Sequence, residues 1–317
     1  MLGAMSAAAL DGPFLAEPRW LAARLDEPGI RVVDARFDVR PAPGGGLEPV
    51  PGRVGYEAGH VPGAVFLDLM GEFVDPDDPL RVLRADRFEG LMGRLGIAND
   101  TEVVVYDDRG GLWAARLWWA LRYYGHERVR LLDGGLARWR ALGLPVERGG
   151  VAPPSASFRA RVVPELRMER GQVLAALSDP DVAIVDALPE PFYRGEARLY
   201  PHCRAGHIPG ACNVPAPSLL DPERGTLLPA DALEARFSRL GLRPERRIVT
   251  YCGGGVFASF VLLALASAGR RSVALYDASW AEWGADSALP VETGPGPEDV
   301  TEGAAATGPR GGEPWRA

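Results

Sequence analysis

The sequence contains no lysine, so arginine supplies all 35 of its basic residues. This absence excludes Schiff-base chemistry, which needs a lysine amine, and a P-loop, which needs a lysine ammonium at its phosphates. Acidic residues number 42 and leave a formal net charge of -7, and a field of that sign repels phosphate backbones. We therefore expect no nucleic-acid partner.

Cysteine is also scarce: the chain has Cys203, Cys212 and Cys252, with no Cys-x-x-Cys element. An odd count in a chain of 317 residues argues against a disulfide framework, and the spacing predicts no structural zinc site. No apolar run reaches the roughly 18 residues that a membrane-spanning helix needs. The apolar N-terminus has no positive charge ahead of it, unlike a secretory signal, so we expect a cytoplasmic protein with no membrane partner.

The most informative feature that is present is an internal repeat of four motifs in the same order. The first copy consists of residues 32–36 (VVDAR), 59–64 (GHVPGA), 102–107 (EVVVYD) and 131–135 (LLDGG). The second copy consists of residues 184–188 (IVDAL), 206–211 (GHIPGA), 247–252 (RIVTYC) and 275–279 (LYDAS). A period of about 150 residues is too long for a solenoid, so each copy predicts a separate domain with its own core.

Short β-branched runs alternate with longer apolar-periodic segments in each copy, which predicts an α/β fold. We expect two tandem domains, each a parallel sheet with helices on both faces, because parallel sheets are buried on both sides. The predicted boundaries are 14–146 for the first domain, 147–163 for a linker, 164–293 for the second domain and 294–317 for a flexible tail.

The segment that carries chemistry is residues 252–258 (CGGGVFA), between a predicted buried strand and a predicted helix. Three glycines permit the backbone to curl around Cys252, and curling points backbone amides at its sulfur. These amides and the positive helix end favour a thiolate, with a lowered pKa, and would also hold a persulfide anion. The alternative is a buried core cysteine beside a tight turn. The predicted loop amides belong to Gly253, Gly254, Gly255, Val256, Phe257 and Ala258.

The motifs together resemble the paired rhodanese domains of thiosulfate and 3-mercaptopyruvate sulfurtransferases, over about residues 14–293. In that family the first domain has lost its cysteine, and Asp107 stands at that position here. The resemblance implies that Cys252 takes a sulfane sulfur from 3-mercaptopyruvate or thiosulfate as a persulfide. It then implies transfer to cyanide, a thiol or a thioredoxin-like protein, with no metal and no organic cofactor.

The same resemblance bears on the donor. Thiosulfate-using members resemble Cys-Arg-Lys-Gly-Val-Thr at the loop, and mercaptopyruvate-using members resemble Cys-Gly-Ser-Gly-Val-Thr. This chain reads Cys-Gly-Gly-Gly-Val-Phe and lacks the two cations, which favours 3-mercaptopyruvate. The resemblance makes Arg198 and Arg194 candidates for gripping the substrate carboxylate, and makes His60 a candidate for proton relay. His60 also has a structural interpretation, because His207 occupies the same turn of the second copy.

Two other functions compete with this prediction. A cysteine-dependent phosphatase shares the strand, cysteine loop and helix, but it needs an arginine in a Cys-x5-Arg loop, and Ala258 stands there. That reading is disfavoured. A non-catalytic sulfur carrier or sensor, binding a partner protein through the interdomain cleft, stays open as the alternative.

Overall fold

The computed structural model describes residues 10–41 and 47–296 of the chain. These residues form two compact units. The first unit comprises residues 10–38, 49–167 and 220–229, and the second comprises the remaining described residues. The predicted domain boundaries stay a prediction, and most of the predicted tail lies outside the described residues.

The predicted linker, residues 147–163, belongs to the first unit. Its backbone is hydrogen bonded there, since the Ala156 amide donates to the Gly93 carbonyl at 2.9 Å and the Arg161 amide to the Tyr124 carbonyl at 3.0 Å. The segment therefore packs along the first unit instead of forming a free connection.

Strands and helices alternate through both units, as predicted. The strands are β1 (Leu15–Ala16), β2 (Ile30–Asp34), β3 (Phe37–Pro41), β4 (Leu47–Pro51), β5 (Val65–Phe66), β6 (Val74–Asp75), β7 (Asp78–Val82), β8 (Glu102–Tyr106), β9 (Val129–Leu132), β10 (Arg167–Met168), β11 (Val182–Asp186), β12 (Cys212–Asn213), β13 (Arg247–Tyr251) and β14 (Val273–Tyr276). The helices are α1 (Pro18–Ala22), α2 (Arg53–Ala58), α3 (Ala85–Arg94), α4 (Ala115–Tyr123), α5 (Gly135–Ala141), α6 (Arg170–Ala176), α7 (Glu190–Tyr193), α8 (Ala230–Arg239), α9 (Val256–Ser267) and α10 (Ser279–Trp283). Short 3-10 helices cover Pro164–Leu166 and Ala216–Leu219.

Each repeat builds a five-stranded sheet, with strand order β1-β9-β8-β2-β5 in the first and β10-β14-β13-β11-β12 in the second. All neighbouring pairs of the first sheet are parallel, as are β14-β13, β13-β11 and β11-β12 of the second. The remaining strands form the two-stranded sheets β3-β4 and β6-β7. The predicted fold class, two parallel sheets in an α/β arrangement, is confirmed.

The central strands show why these segments form covered sheets. Four consecutive residues of β8, Val103–Tyr106, are buried, and so are Ile248–Tyr251 of β13. Because successive side chains point to opposite faces, both faces of each sheet must be covered. Helices α4 and α9 are apolar and buried nearly all round, as helices against such sheets should be. Within the described ranges, no helix is long and apolar enough to cross a membrane.

The central strands of each sheet are paired in the same register at the edge that carries the site. Asp34 at the end of β2 lies opposite Tyr106 at the end of β8. Asp186 at the end of β11 lies opposite Tyr251 at the end of β13. The residue that follows each tyrosine therefore leaves the sheet at its carboxyl edge, where reactive loops of parallel sheets are found.

Candidate active site

The residue that leaves the second sheet at this edge is Cys252. Its backbone passes directly from β13 into the glycine loop, and α9 begins at Val256 as predicted. Gly255 caps that helix in the left-handed region, with φ 80°, a conformation that an L side chain rarely adopts. The glycine is therefore required for the chain to curl back over the sulfur.

Backbone amides converge on the Cys252 sulfur. Burial is the largest influence and raises the pKa of this thiol. Hydrogen bonds from the amides of Ala258, Gly254 and Gly255 lower the pKa, while the nearby carboxyl of Asp186 raises it. The net direction is upward. These contributions support the predicted role of the Ala258, Gly254 and Gly255 amides, and the loop as a whole, with Gly253, Val256 and Phe257, stays a prediction.

The predicted lowering of the thiol pKa does not hold for the resting cysteine. Cys252 is only 3% exposed, and burial penalises the charged form of the thiol more than the three amides favour it. The amides nevertheless point at the sulfur, so negative charge that arrives with a substrate meets donors already in place.

The base of the loop is held by Ser279, which sequence reasoning missed. Its hydroxyl accepts the Cys252 amide at 3.1 Å and donates to the Tyr276 carbonyl at 2.8 Å. Ser279 is fully buried and is the non-glycine residue with positive φ, at 53°, among the described residues. Such strain persists only where surrounding contacts impose it. The signal in the sequence was position: Gly135, at φ 57°, occupies the same place in the first repeat.

Helix α10 ties the loop further. The Trp280 amide donates to the Cys252 carbonyl and the Ala281 amide to the Gly253 carbonyl, each at 3.0 Å. The nucleophile is therefore fixed by bonds to its amide and to its carbonyl. Its position does not depend on the sulfur contacts alone.

Tyr200 is a second residue that sequence reasoning missed. Its phenol lies over the glycines of the loop, so that a methyl group on Gly253 would stand 2.9 Å from Tyr200 Oη. Burial raises the pKa of Tyr200, and the charges of Cys252 and Cys203 raise it further. No sequence motif predicts Tyr200 as a site residue, because it lies in an irregular segment between α7 and β12.

A buried carboxyl group lies behind the nucleophile. Burial raises the pKa of Asp186 to about 7, against lowering by the Leu188 amide and by the Tyr251 hydroxyl. Asp34 is the corresponding carboxyl group of the first repeat, and it pairs with the Arg36 guanidinium at 2.6 Å. The sequence places Leu188 where that arginine would stand. Asp186 consequently has no cation of this kind.

The first repeat carries a loop of the same construction, filled by its own side chain. The Asp107 carboxylate accepts four backbone amides at its two oxygens. The donors are Arg109 at 2.8 Å, Gly111 at 2.8 Å, Trp113 at 2.7 Å and Ala114 at 2.9 Å. Burial raises the pKa of Asp107, against lowering by the amides of Ala114, Gly111 and Arg109. In both repeats, backbone amides of the loop thus face the side chain of the residue that follows the central strand.

The candidate arginines differ in their surroundings. Arg198 is exposed, and its side chain reaches the Pro201 carbonyl at 3.4 Å. Its charge lowers the pKa of the Cys203 thiol, although burial raises that pKa overall. Arg194 lies at the end of α7 and forms an ion pair with Glu190 on the same helix. Arg198 is therefore the more available of the two.

His60 has a structural environment that recurs in the second repeat. Its ring is fully buried, donates through Nδ1 to the Tyr56 carbonyl at 2.8 Å and stacks on the Tyr56 ring. His207 makes the same pair of contacts with Tyr193, at 2.7 Å for the hydrogen bond. Identical packing in both copies favours the structural interpretation of His60 over a proton relay.

Comparison with known proteins places this arrangement in a family. The profile of the rhodanese-like domain family matches residues 17–142 and again residues 169–286. The chain therefore belongs to the rhodanese-like domain family and contains two copies of the domain, which confirms the predicted resemblance.

Within that family, the chain is similar to named sulfurtransferases. It is 40% identical over 276 residues to the 3-mercaptopyruvate sulfurtransferase of Escherichia coli strain K12, covering 86% of this chain and 95% of that protein. It is 34% identical over 292 residues to the sulfur carrier protein TtuD of Thermus thermophilus, covering 87% and 95% respectively. The crystal structure of SseA from Escherichia coli, from work on 3-mercaptopyruvate sulfotransferases, matches with TM-score 0.75 at 36% identity, covering 85% of this chain and 99% of that chain.

Proposed function

We propose that this protein is a sulfurtransferase that moves sulfur from 3-mercaptopyruvate to a thiol or cyanide through a persulfide on Cys252. The observation that supports it most is the convergence of the Ala258, Gly254 and Gly255 amides on one cysteine sulfur. Donors fixed in this way stabilise charge that develops during a reaction without reorganising.

The first half-reaction loads the cysteine. The Cys252 thiol first loses its proton to solvent. The thiolate then attacks the sulfur of 3-mercaptopyruvate, a sulfur–sulfur bond forms, and the carbon–sulfur bond breaks. The electron pair of that bond leaves as the enolate of pyruvate, which takes the thiol proton of the donor. The products are pyruvate and a negatively charged persulfide, and the loop amides hold its charge.

The second half-reaction unloads the cysteine. A nucleophile such as cyanide attacks the outer sulfur, the sulfur–sulfur bond breaks, and its electron pair returns to the Cys252 thiolate. The product is thiocyanate, or a new persulfide when the acceptor is a thiol. The three cysteines of the chain are free thiols, as suits a reducing compartment. We accordingly propose a cytoplasmic location and a thioredoxin-like protein as one physiological acceptor.

The choice of donor rests on charge. Residues 253–258 contain no cation, whereas a doubly charged donor such as thiosulfate needs compensation close to the nucleophile. A 3-mercaptopyruvate carboxylate needs one guanidinium, and Arg198 is exposed in the same unit as Cys252. We propose Arg198 as its ligand, with His60 left in its structural role.

The carboxylate ligand is tested by replacing each candidate arginine with alanine. We expect Arg198→Ala to lower kcat/KM for 3-mercaptopyruvate by about tenfold, mostly through KM, since one charge-assisted hydrogen bond is lost. Arg194→Ala is the matched control, because its guanidinium is paired with Glu190 on the same helix. Equal kinetics for Arg198→Ala and wild type would remove Arg198 from the scheme.

A sulfur carrier is the second candidate, because the relative from Thermus thermophilus bears that name. A carrier would hold the persulfide for a partner protein and would not turn over with small molecules. Turnover separates the two functions.

The deciding experiment measures thiocyanate formation from cyanide with 3-mercaptopyruvate and with thiosulfate, for wild type and for Cys252→Ser. We expect wild-type turnover with 3-mercaptopyruvate as the better donor. Loss of a nucleophile commonly costs about a thousandfold or more in rate, and we expect that loss with both donors in the variant. Wild-type rates in Cys252→Ser would overturn the mechanism, and a single unrepeated sulfur transfer by wild type would support the carrier.

A further inference from the structure

The phenol of Tyr200 lies against the reactive loop, and neither of the two proposed half-reactions uses it. A methyl group on Gly253 would stand 2.9 Å from Tyr200 Oη and 2.5 Å from Leu199 Cδ2, and one on Gly254 would stand 3.7 Å from the same oxygen. The hydroxyl is thus packed on the two glycines that follow the nucleophile. Gly253 therefore has room for hydrogen only, whereas a methyl group on Gly254 would make an ordinary contact with the phenol.

The hydroxyl of Tyr200 is also uncommitted. Among the described residues it makes no hydrogen bond, neither to Cys252 Sγ nor to another group. The other hydroxyls around the loop each donate to a backbone carbonyl: Thr250 to Ala258, Ser259 to Gly255 and Ser279 to Tyr276. Tyr200 is therefore the hydroxyl at this loop with a proton left to donate.

The phenol is suited to donate and unsuited to act as a base. Burial raises the pKa of Tyr200, and the charges of Cys252 and Cys203 raise it further, so the proton stays on the oxygen through the neutral range. A neutral donor stabilises an adjacent anion without competing as a nucleophile or accepting its proton.

We propose that Tyr200 is a catalytic residue whose hydroxyl donates a hydrogen bond to the outer sulfur of the Cys252 persulfide. The outer sulfur stands about 2 Å beyond Sγ, and it is this added atom that the hydroxyl reaches. The loop amides hold the charge of the persulfide, and the phenol adds a side-chain donor at its outer sulfur. This role rests on the proposed function, because it needs a persulfide to form. No proton is transferred and no bond other than the hydrogen bond is made.

The loop itself contains no side chain that could donate a hydrogen bond to the outer sulfur. Residues 253–257 (GGGVF) contain no hydroxyl, and residues 253–258 contain no cation, so the loop offers the outer sulfur main-chain donors alone. A phenol brought in from the segment between α7 and β12 adds a side-chain donor without adding a charge. The same neutral donor leaves the site without the positive charge that thiosulfate needs.

The test is Tyr200→Phe, measured on the loaded enzyme. Protein is treated with 3-mercaptopyruvate, desalted and alkylated across a pH range, and the peptide that carries Cys252 is followed by mass spectrometry. We expect the midpoint for alkylation of the persulfide to rise by about one pH unit, the tenfold effect of losing one hydrogen bond to an anion. The midpoint for the unloaded thiol should not move, because the hydroxyl does not bond that sulfur.

Tyr193→Phe is the matched control, since it removes a buried phenol that donates to the Ala211 carbonyl in the same unit. It should leave both midpoints unchanged. Gly253→Ala is a second route to the same effect, because its methyl group must displace Tyr200 Oη or Leu199 Cδ2. Combining it with Tyr200→Phe should add little to the midpoint of either variant alone.

Two results would overturn the assignment, and they differ. A persulfide midpoint in Tyr200→Phe equal to that of wild type removes the role of Tyr200 and leaves the proposed function standing. A wild-type protein that takes up no sulfur from 3-mercaptopyruvate or thiosulfate overturns the proposed function itself, and the role of Tyr200 with it.

Discussion

The two repeats carry the same loop and occupy it differently. In the first, the Asp107 carboxylate accepts amides that include those of Gly111 and Ala114. In the second, the amides of Gly255 and Ala258 point at the Cys252 sulfur. Both loops present backbone amides to the residue after the strand, although the next helix begins later in the first repeat, at Ala115, than in the second, at Val256. We attribute the different outcome to the occupant. A carboxylate fixed in the loop satisfies the amides and leaves no reactive group. With a thiol in the loop, the amides meet a full negative charge only when the persulfide forms.

A second difference concerns the buried aspartates at the ends of β2 and β11, beside the loops. Asp34 in the first repeat is paired with Arg36, and the Tyr106 hydroxyl donates to it at 2.6 Å. Asp186 in the second repeat has Leu188 in place of the arginine, and burial raises its pKa to about 7. The reactive repeat thus omits a cation beside its nucleophile and keeps a carboxyl group that is half ionised near neutrality. The raised pKa of Asp186 should make the stability of the second repeat depend on pH.

The largest expected effect comes from emptying the first loop. Asp107→Ala leaves four amides without their acceptor, three of them buried, and we expect it to lower the free energy of unfolding of the first unit by ~3–5 kcal/mol. Cys252→Ala, the matching change in the second unit, should cost only about 1–2 kcal/mol because a thiol accepts weakly. Urea unfolding of both variants measures the difference, and equal losses would contradict the claim that the carboxylate binds its loop amides more strongly than the thiol does.

Replacing the two buried carboxyl groups should change stability in opposite directions. Asp34→Asn breaks the buried pair with Arg36 and should destabilise the protein by ~3–5 kcal/mol at pH 7. The folded-state pKa of Asp186 is raised, so between about pH 4 and pH 7 the unfolded chain loses a proton that the folded chain keeps. Stability therefore falls as pH rises through that window.

Asp186→Asn removes this pH dependence. We expect the variant to exceed wild type by about 2–4 kcal/mol at pH 8 and to lose that advantage near pH 4. Unfolding measured by urea at a series of pH values gives the comparison directly. A constant difference between variant and wild type across the series would contradict the raised pKa of Asp186.

The smallest expected effect concerns the support of each loop. Ser279→Gly removes the hydrogen bond to the Cys252 amide but relieves a strained positive φ, so we expect a net loss of about 1 kcal/mol or less. Gly135→Ala in the first repeat should cost more, about 2 kcal/mol, because its methyl group would stand 2.4 Å from the Asp107 carbonyl oxygen at a φ that disfavours alanine. Thermal unfolding ranks the two, and a reversed order would contradict the correspondence of Gly135 and Ser279.

The repeat made most of the fold predictable from the sequence. Two ordered sets of motifs gave two α/β domains, and the run from Cys252 through three glycines indicated a strand, a curled loop and a helix that begins at Val256. These inferences depend on local periodicity and backbone freedom, which one chain displays. The same reasoning placed Asp107 where the second copy has its cysteine.

What escaped prediction depends on packing. Tyr200 reaches the loop from a segment without regular structure, so no spacing in the sequence joins it to Cys252. The upward pKa of Cys252 is set by burial and by Asp186, and both are tertiary effects. The family resemblance makes His60 a candidate for proton relay, whereas its stacking on Tyr56 becomes visible only in three dimensions.

The most direct measurement of the account is the mass of the peptide that contains Cys252 after exposure to 3-mercaptopyruvate. We predict that it gains one sulfur atom, that cyanide removes this sulfur as thiocyanate, and that peptides with Cys203 and Cys212 gain none. A sulfur atom found on either of those cysteines, with Cys252 unmodified, would contradict the claim that this loop is the place where sulfur is carried.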